Sequence, residues 1–297
     1  MAYNYTNLVF KGGGVLGIAY AGAIKVLEDN GILQQVRRAA GTSAGAITAA
    51  LVCLKYSAAE ILHEVSATNF KSFEDGLDPL RVATKYGLFK GDAFLSWMQQ
   101  RLIDKGFSAT ATFTDLKNKG MSDLHVFASD LNTQNLREFS FATTPGVPVA
   151  YAVRASMSIP LFFNAWQFPG NNPDNHLYVD GGMVYNYPVR TFDQNGVNPA
   201  TLGFFLSNLN APAIADTLDY NHLVQYVRNT FDTIMNAQNI NFRNDPSDEK
   251  RTVMIDNLGI SATNFGLTQQ QEQDLYNSGV KYTTAFLQPD QFTTPVA

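Results

Sequence analysis

Asn7-Leu8-Val9-Phe10-Lys11-Gly12-Gly13-Gly14-Val15-Leu16-Gly17 is the stretch that decides the fold of this 297-residue chain. A short apolar run is halted by three glycines. From Gly17 to Asn30 the residues Ile18, Ala21, Ile24 and Leu27 then recur at helical spacing before Gly31. That order predicts strand, glycine turn, helix. The pattern repeats at once: residues 36–40 read as a second strand ending at Gly41, and residues 44–56 as an alanine-rich helix with Ile47, Leu51 and Leu54 on one face. A β-α-β-α opening favours a mostly parallel sheet of the α/β class, with functional groups gathered beyond the carboxyl ends of its strands.

Working outward, residues 58–75 and 92–103 read as helices, the second capped by Asp92. Strands are expected at 124–129, 136–141, 177–179 and 200–206, with an edge strand at 251–255. Residues 218–239 carry Leu223, Val227, Phe231, Ile234 and Met235 at helical spacing. A last helix opens with Thr268 and Gln271 in capping-box spacing and carries Leu275 and Phe286. Residues 245–251, with Pro246 and mixed charges, read as a solvated loop. The chain is expected to form one domain over 1–297, with a core over about 7–210 and a helical and edge-strand portion over about 211–297.

The apolar content of 45% is enough for a large core, and the net charge of −5 without a polybasic run excludes nucleic acid as a partner. Cys53 is the only cysteine, so neither an internal disulfide nor a Cys-rich metal site is expected. Residues 1–11 have neither the charged nor the long apolar region of a Sec signal, and no span reaches eighteen uninterrupted apolar residues. The expectation is a cytoplasmic protein, or one exported by a non-Sec route, whose membrane contact is peripheral.

Gly41-Thr42-Ser43-Ala44-Gly45 places a serine between a strand and a small-residue helix, where a strained elbow can present a nucleophile. Gly12 to Gly17 supports two chemistries. Backbone N–H groups at a helix start can hold either an oxyanion or the pyrophosphate of a dinucleotide, and the spacing is also Gly-x-Gly-x-x-Gly. Arg37 and Arg38 keep an NADP-binding oxidoreductase open as the alternative, although no acidic residue ends the second strand and that strand runs directly into the elbow. His63, His125, His176 and His222 have no neighbourhood that marks one as a base. Asp180 ends a short strand, and Gly181-Gly182 lets the chain turn tightly after it, which permits a carboxylate base at the sheet edge or an ordinary Asp-Gly turn.

Taken in this order, the three motifs resemble the patatin-like phospholipases. The resemblance spans roughly residues 7–210. Two further segments support it: Asp130-Leu131-Asn132-Thr133 leading to Phe139, and Arg154-Ala155-Ser156-Met157-Ser158-Ile159-Pro160. It implies a three-layer α/β/α fold and a serine acyl hydrolase with a Ser43–Asp180 dyad and no histidine. Gly12, Gly13 and Gly14 match the oxyanion loop, and neither metal nor cofactor is implied. Phospholipids, lysophospholipids or acylglycerols at a membrane or micelle surface would be the substrates. Val15 and Leu16 stand where the family often has a basic residue, which bears on head-group contacts rather than on the oxyanion amides. Phe162, Phe163 and Trp166 lie in an apolar run that can line an acyl cleft or fill the core. The segments between residues 58 and 103 can serve as a membrane-facing cap or simply as structure. A catalytically inactive lipid-binding protein is the non-enzymatic alternative.

Overall fold

The computed structural model describes residues 3–209, 223–238, 242 and 245–289. In chain order, β1 (Asn7–Phe10) leads through the glycine turn into α1 (Ile18–Asp29), and β2 (Arg38–Thr42) leads into α2 (Ala44–Cys53). Three helices follow, α3 (Ala58–Ala67), α4 (Val82–Lys85) and α5 (Asp92–Asp104), with β3 (Gly87–Phe89) between the last two. Next come α6 (Phe113–Asn118), β4 (Asp123–Asp130), β5 (Asn135–Phe139), α7 (Val149–Ser156), β6 (Leu161–Phe163), β7 (Trp166–Gln167) and β8 (Leu177–Asp180). The chain continues with β9 (Thr201–Ser207), α8 (Leu223–Ala237), a short helix Pro246–Glu249, β10 (Thr252–Asp256) and a closing helix Gln269–Leu287.

The main sheet has the order β10-β9-β1-β2-β4-β8-β7, with β5 also paired to β4. From β10 to β4 every pairing is parallel, and the β4–β5, β4–β8 and β8–β7 pairings are antiparallel. Side-chain alternation splits the central strands between two cores. Leu8, Phe10, Ala39, Leu202 and Phe204 face one cluster with α1 and α2, while Val9, Ala40, Phe127 and Phe205 face a smaller one with Tyr187, Phe192 and Phe242. The closing helix lies tightly on α1. A Cβ at Gly22 would overlap the Tyr276 carbonyl, and one at Gly279 would overlap that of Ala19. Among the described residues no helix is long and apolar enough to cross a membrane.

Three local expectations change. The first helix after α2 stops at Ala67 and is followed by a 3-10 turn at Phe70–Phe73. Asp92 does not cap α5: the N-cap is Gly91, and the carboxylate of Asp75 accepts from the amides of Gly91, Asp92 and Ala93 at 2.6–2.9 Å. Nor are residues 245–251 simply a solvated loop. Asp248 and Arg251 are buried, and Arg251 bridges Asp193 and Asp248, both at 2.6 Å, so the charges satisfy one another on the way into β10. The expected helix over 218–239 is seen from Leu223 to Ala237, and residues 218–222 and 239 lie outside the described residues.

Candidate active site

Two strand ends meet head to head on one edge of β4. β2 pairs with β4 up to Thr42↔Phe127, and β8 takes over the same edge in the opposite direction from Ala128↔Asp180. Ser43, the residue after β2, and Asp180, the last of β8, are thereby brought together. Gly181 makes the meeting possible, because a side chain there would strike the Phe127 carbonyl and the Thr42 methyl group.

Ser43 is a strained residue, with φ 54° and ψ −126°, at the N-cap of α2. The flanking glycines are required by close approach: a Cβ at Gly41 would overlap the Gly45 carbonyl, and one at Gly45 would overlap that of Phe10. The Ser43 N–H donates to Ser156 Oγ (2.9 Å), whose hydroxyl donates in turn to the Phe127 carbonyl (2.5 Å). So the elbow is fixed by α7 and β4 as well as by its own turn.

Asp180 is fully buried and pinned through its backbone. Its N–H donates to the Ser158 carbonyl (2.8 Å), and its carbonyl accepts from Ser129 Oγ (2.9 Å). Of the carboxylate oxygens, Oδ1 accepts from the Gly182 amide (2.8 Å), whereas Oδ2 has no hydrogen-bond partner among the described residues. Burial pushes the carboxyl up to about 7, against the smaller opposing pulls of the Ser43 hydroxyl and the Gly182 amide. The Ser43 hydroxyl is thus close enough to act on the carboxyl's ionisation without forming a hydrogen bond of good geometry to Oδ2.

The glycine turn ends β1 beside the elbow, since β1 and β2 are parallel neighbours with Phe10 opposite Gly41. Gly14 has φ +53°, and the Val15 amide donates to the Ala262 carbonyl (3.0 Å), which anchors the loop. Among the described residues no acceptor meets the amides of Gly13 and Gly14, which open the 3-10 turn leading into α1. Gly12 is different. Its N–H donates to the Asn186 carbonyl (3.0 Å), so it is spent on structure and is corrected from a donor to a spacer. A Cβ at Gly12 would overlap Asn186 Oδ1 and stand 3.2 Å from Ser43 Cβ.

An apolar cleft begins at this point and runs along α2. Gly14, Val15, Gly17, Ala44, Ile47 and Leu51 form its floor, and Ile61, Val65, Phe70, Phe73, Phe94 and Trp97 close it. Phe162, Phe163 and Trp166 do not line it. Phe162 and Phe163 are wholly buried, packed on Phe265 and each other, because β6 pairs with β3 beneath the surface. Trp166 lies over Arg154 and against Tyr151 and Phe168.

Two of the histidines are paired with carboxylates elsewhere. His125 Nδ1 meets Glu138, His176 Nδ1 meets Asp130, His63 is exposed on α3, and His222 lies outside the described residues. Sequence reasoning missed Ser129, Asn186 and Gln238, and gave Ser156 and Ser158 no separate role. Gln238 accepts from the Asn186 N–H (2.8 Å) and donates to the Gly182 carbonyl, so the residue that follows α8 clamps the turn after Asp180. Asn186 carries a further oddity: it is 1% exposed, yet neither Oδ1 nor Nδ2 has a partner among the described residues. Leaving such a group unsatisfied typically costs about 1–3 kcal/mol.

The family model described as patatin-like phospholipase matches residues 8–193. The chain is 32% identical to the uncharacterized protein YqhO of Bacillus subtilis, over 95% of this chain and 98% of that one. It is 28% identical to the uncharacterized protein R571 of Acanthamoeba polyphaga mimivirus, over 93% and 91%. Among solved structures it is similar to VipD from Legionella pneumophila, with a TM-score of 0.61 and 16% identity over 96% of this chain and 67% of that chain. The type III effector ExoU gives 0.54 and 16% over 97% of this chain, which spans about half of the effector (53%). At these identities the two structures establish the α/β fold.

Proposed function

The chain belongs to the patatin-like phospholipase family, and from that premise we propose that it is a serine acyl hydrolase acting on fatty acyl esters of phospholipids or lysophospholipids. The observation that carries this reading is the head-to-head junction of β2 and β8, with a strained serine against a buried carboxylate. In it, the Ser43 oxygen attacks the ester carbonyl carbon while its proton passes to Asp180. The carbonyl electron pair moves onto oxygen, where the amides of Gly13 and Gly14 receive it. The ester C–O bond then breaks, and the proton on Asp180 goes to the departing alkoxide. Water attacks the acyl-enzyme, gives its proton to Asp180, and releases the fatty acid as Ser43 recovers its hydrogen. A carboxyl poised near 7 suits both halves, since it must take a proton and return it.

The cleft along α2 starts at Ala44, next to the nucleophile, and is the natural seat for an acyl chain. On the outer side of the segment that closes it, Leu77 (58% exposed), Leu80 (83%) and Tyr86 (53%) stand among exposed Lys71, Lys85 and Lys90. Such a surface suits peripheral contact with a lipid aggregate. The NADP reading gains nothing from the fold, because the loop faces Ser43 and its Val15 amide is already spent on Ala262. The deciding experiment is a panel of phospholipids, lysophospholipids and acylglycerols, with wild type against Ser43→Ala and released fatty acid as the readout. Equal release by the two proteins refutes Ser43 as the nucleophile, and release by neither refutes the hydrolase reading and leaves the inactive lipid-binding alternative.

A further inference from the structure

Among the described residues the Asn186 side chain makes no hydrogen bond. The backbone of the residue does the structural work: its carbonyl accepts from Gly12, and its N–H donates to Gln238. Its carboxamide is buried with both polar atoms unpartnered among the described residues, and it lies across Gly12 from Ser43. An apolar side chain of similar size would fill the same space without leaving two buried polar atoms unsatisfied. A group kept polar at that expense, beside a nucleophile, has a ligand in the working enzyme. Of the charged groups nearby, Lys11 Nζ donates to the Gly12 carbonyl (3.4 Å) and the Asp180 carboxylate accepts from the Gly182 amide; the charge that arises beside Ser43 during acyl transfer is the negative oxygen of the tetrahedral intermediate.

We propose that Asn186 is a catalytic residue, whose Nδ2–H donates to the ester carbonyl oxygen as it becomes an oxyanion, alongside the amides of Gly13 and Gly14. This rests on the hydrolase reading above. With neither polar atom tied to a described residue, the carboxamide can turn its N–H end toward the oxygen. No atom is exchanged in the step. The hydrogen bond strengthens as charge builds on the oxygen, so it lowers the barrier more than it tightens substrate binding.

The test uses the full chain with Asn186→Leu and Asn186→Ala, and reads thermal unfolding, hydrolysis of p-nitrophenyl butyrate, and the rate at which a fluorophosphonate labels Ser43. The expected result for Asn186→Leu is an unfolding temperature equal to or above wild type. Its kcat should be lower by about a hundred- to a thousandfold with KM within about threefold, and labelling should slow in parallel. Asn186→Ala should lose similar activity while staying folded. Turnover by Asn186→Leu within about threefold of wild type, or a lowered unfolding temperature in both variants, overturns the assignment while leaving the hydrolase reading intact. A wild type that neither turns over esters nor accepts the label overturns both.

Discussion

The two halves of the site are built differently. On the serine side, each strand runs directly into its turn and its helix, so Gly13, Gly14 and Ser43 take their conformation from short local turns, which Ala262 and Ser156 then anchor. On the aspartate side, β8 is a short antiparallel strand held by distant groups: Ser158 and Ser129 on its backbone, and Gln238 on the turn that follows. A nucleophile needs local strain, which a short motif can encode. A base with a displaced pKa needs burial, which only long-range packing supplies.

The largest effect expected from breaking the local half is in Ser43→Ala, which should lower ester turnover by at least about ten-thousandfold without altering the fold, measured with p-nitrophenyl esters and circular dichroism. Alanine at all four histidines should leave most of the turnover.

Asp180→Asn should be nearly as inactive, but it separates the halves by its pH response. Since the folded carboxyl is raised to about 7, the stability linked to its protonated form is fully present below about pH 4 and is lost as pH rises through 7. The variant, which has no charge to bury, should therefore unfold at the same or a higher temperature than wild type at pH 8, with the difference shrinking toward pH 5. In wild type, kcat/KM should rise through a midpoint near pH 7 as Asp180 ionises. A flat profile between pH 6 and 8 would assign the base elsewhere.

A smaller change is expected where the halves touch. Ser156→Ala removes the acceptor of the Ser43 N–H and should cost about 1–3 kcal/mol of stability, read by chemical unfolding, together with a partial loss of turnover. Smallest for the chemistry is the cap. Serine at Leu77, Leu80 and Tyr86 together should leave hydrolysis of a short soluble ester within about twofold while weakening sedimentation with phospholipid vesicles several-fold.

Much of the serine side was legible from local pattern alone. The alternation of apolar runs, glycine turns and helical spacing from Asn7 to Cys53 maps onto β1, α1, β2 and α2, since each of those elements is short-range in origin. The failures share one cause. Asp75 caps α5 from 16 residues before Gly91, Asp248 and Arg251 are buried by pairing, and Gly12 is consumed by Asn186. Phe162 and Phe163 are equally illegible, because an apolar pair reads alike whether it lines a cleft or fills a core.

The sequence by itself determined the class of fold, the strand-turn-helix units and the presence of a serine, a glycine turn and an aspartate suited to acyl chemistry, because those follow from periodicity and small-residue spacing. Tertiary structure alone decided that β8 runs against β4 and meets the end of β2. It also decided which loop amides meet no acceptor among the described residues, that Asp180 is buried enough to hold its proton near neutral pH, and that the Asn186 carboxamide, beside Ser43, has no partner among those residues. Each of these depends on which distant groups exclude water from, or donate to, a given atom. That is a property of the packed chain, and no short segment of it carries the information.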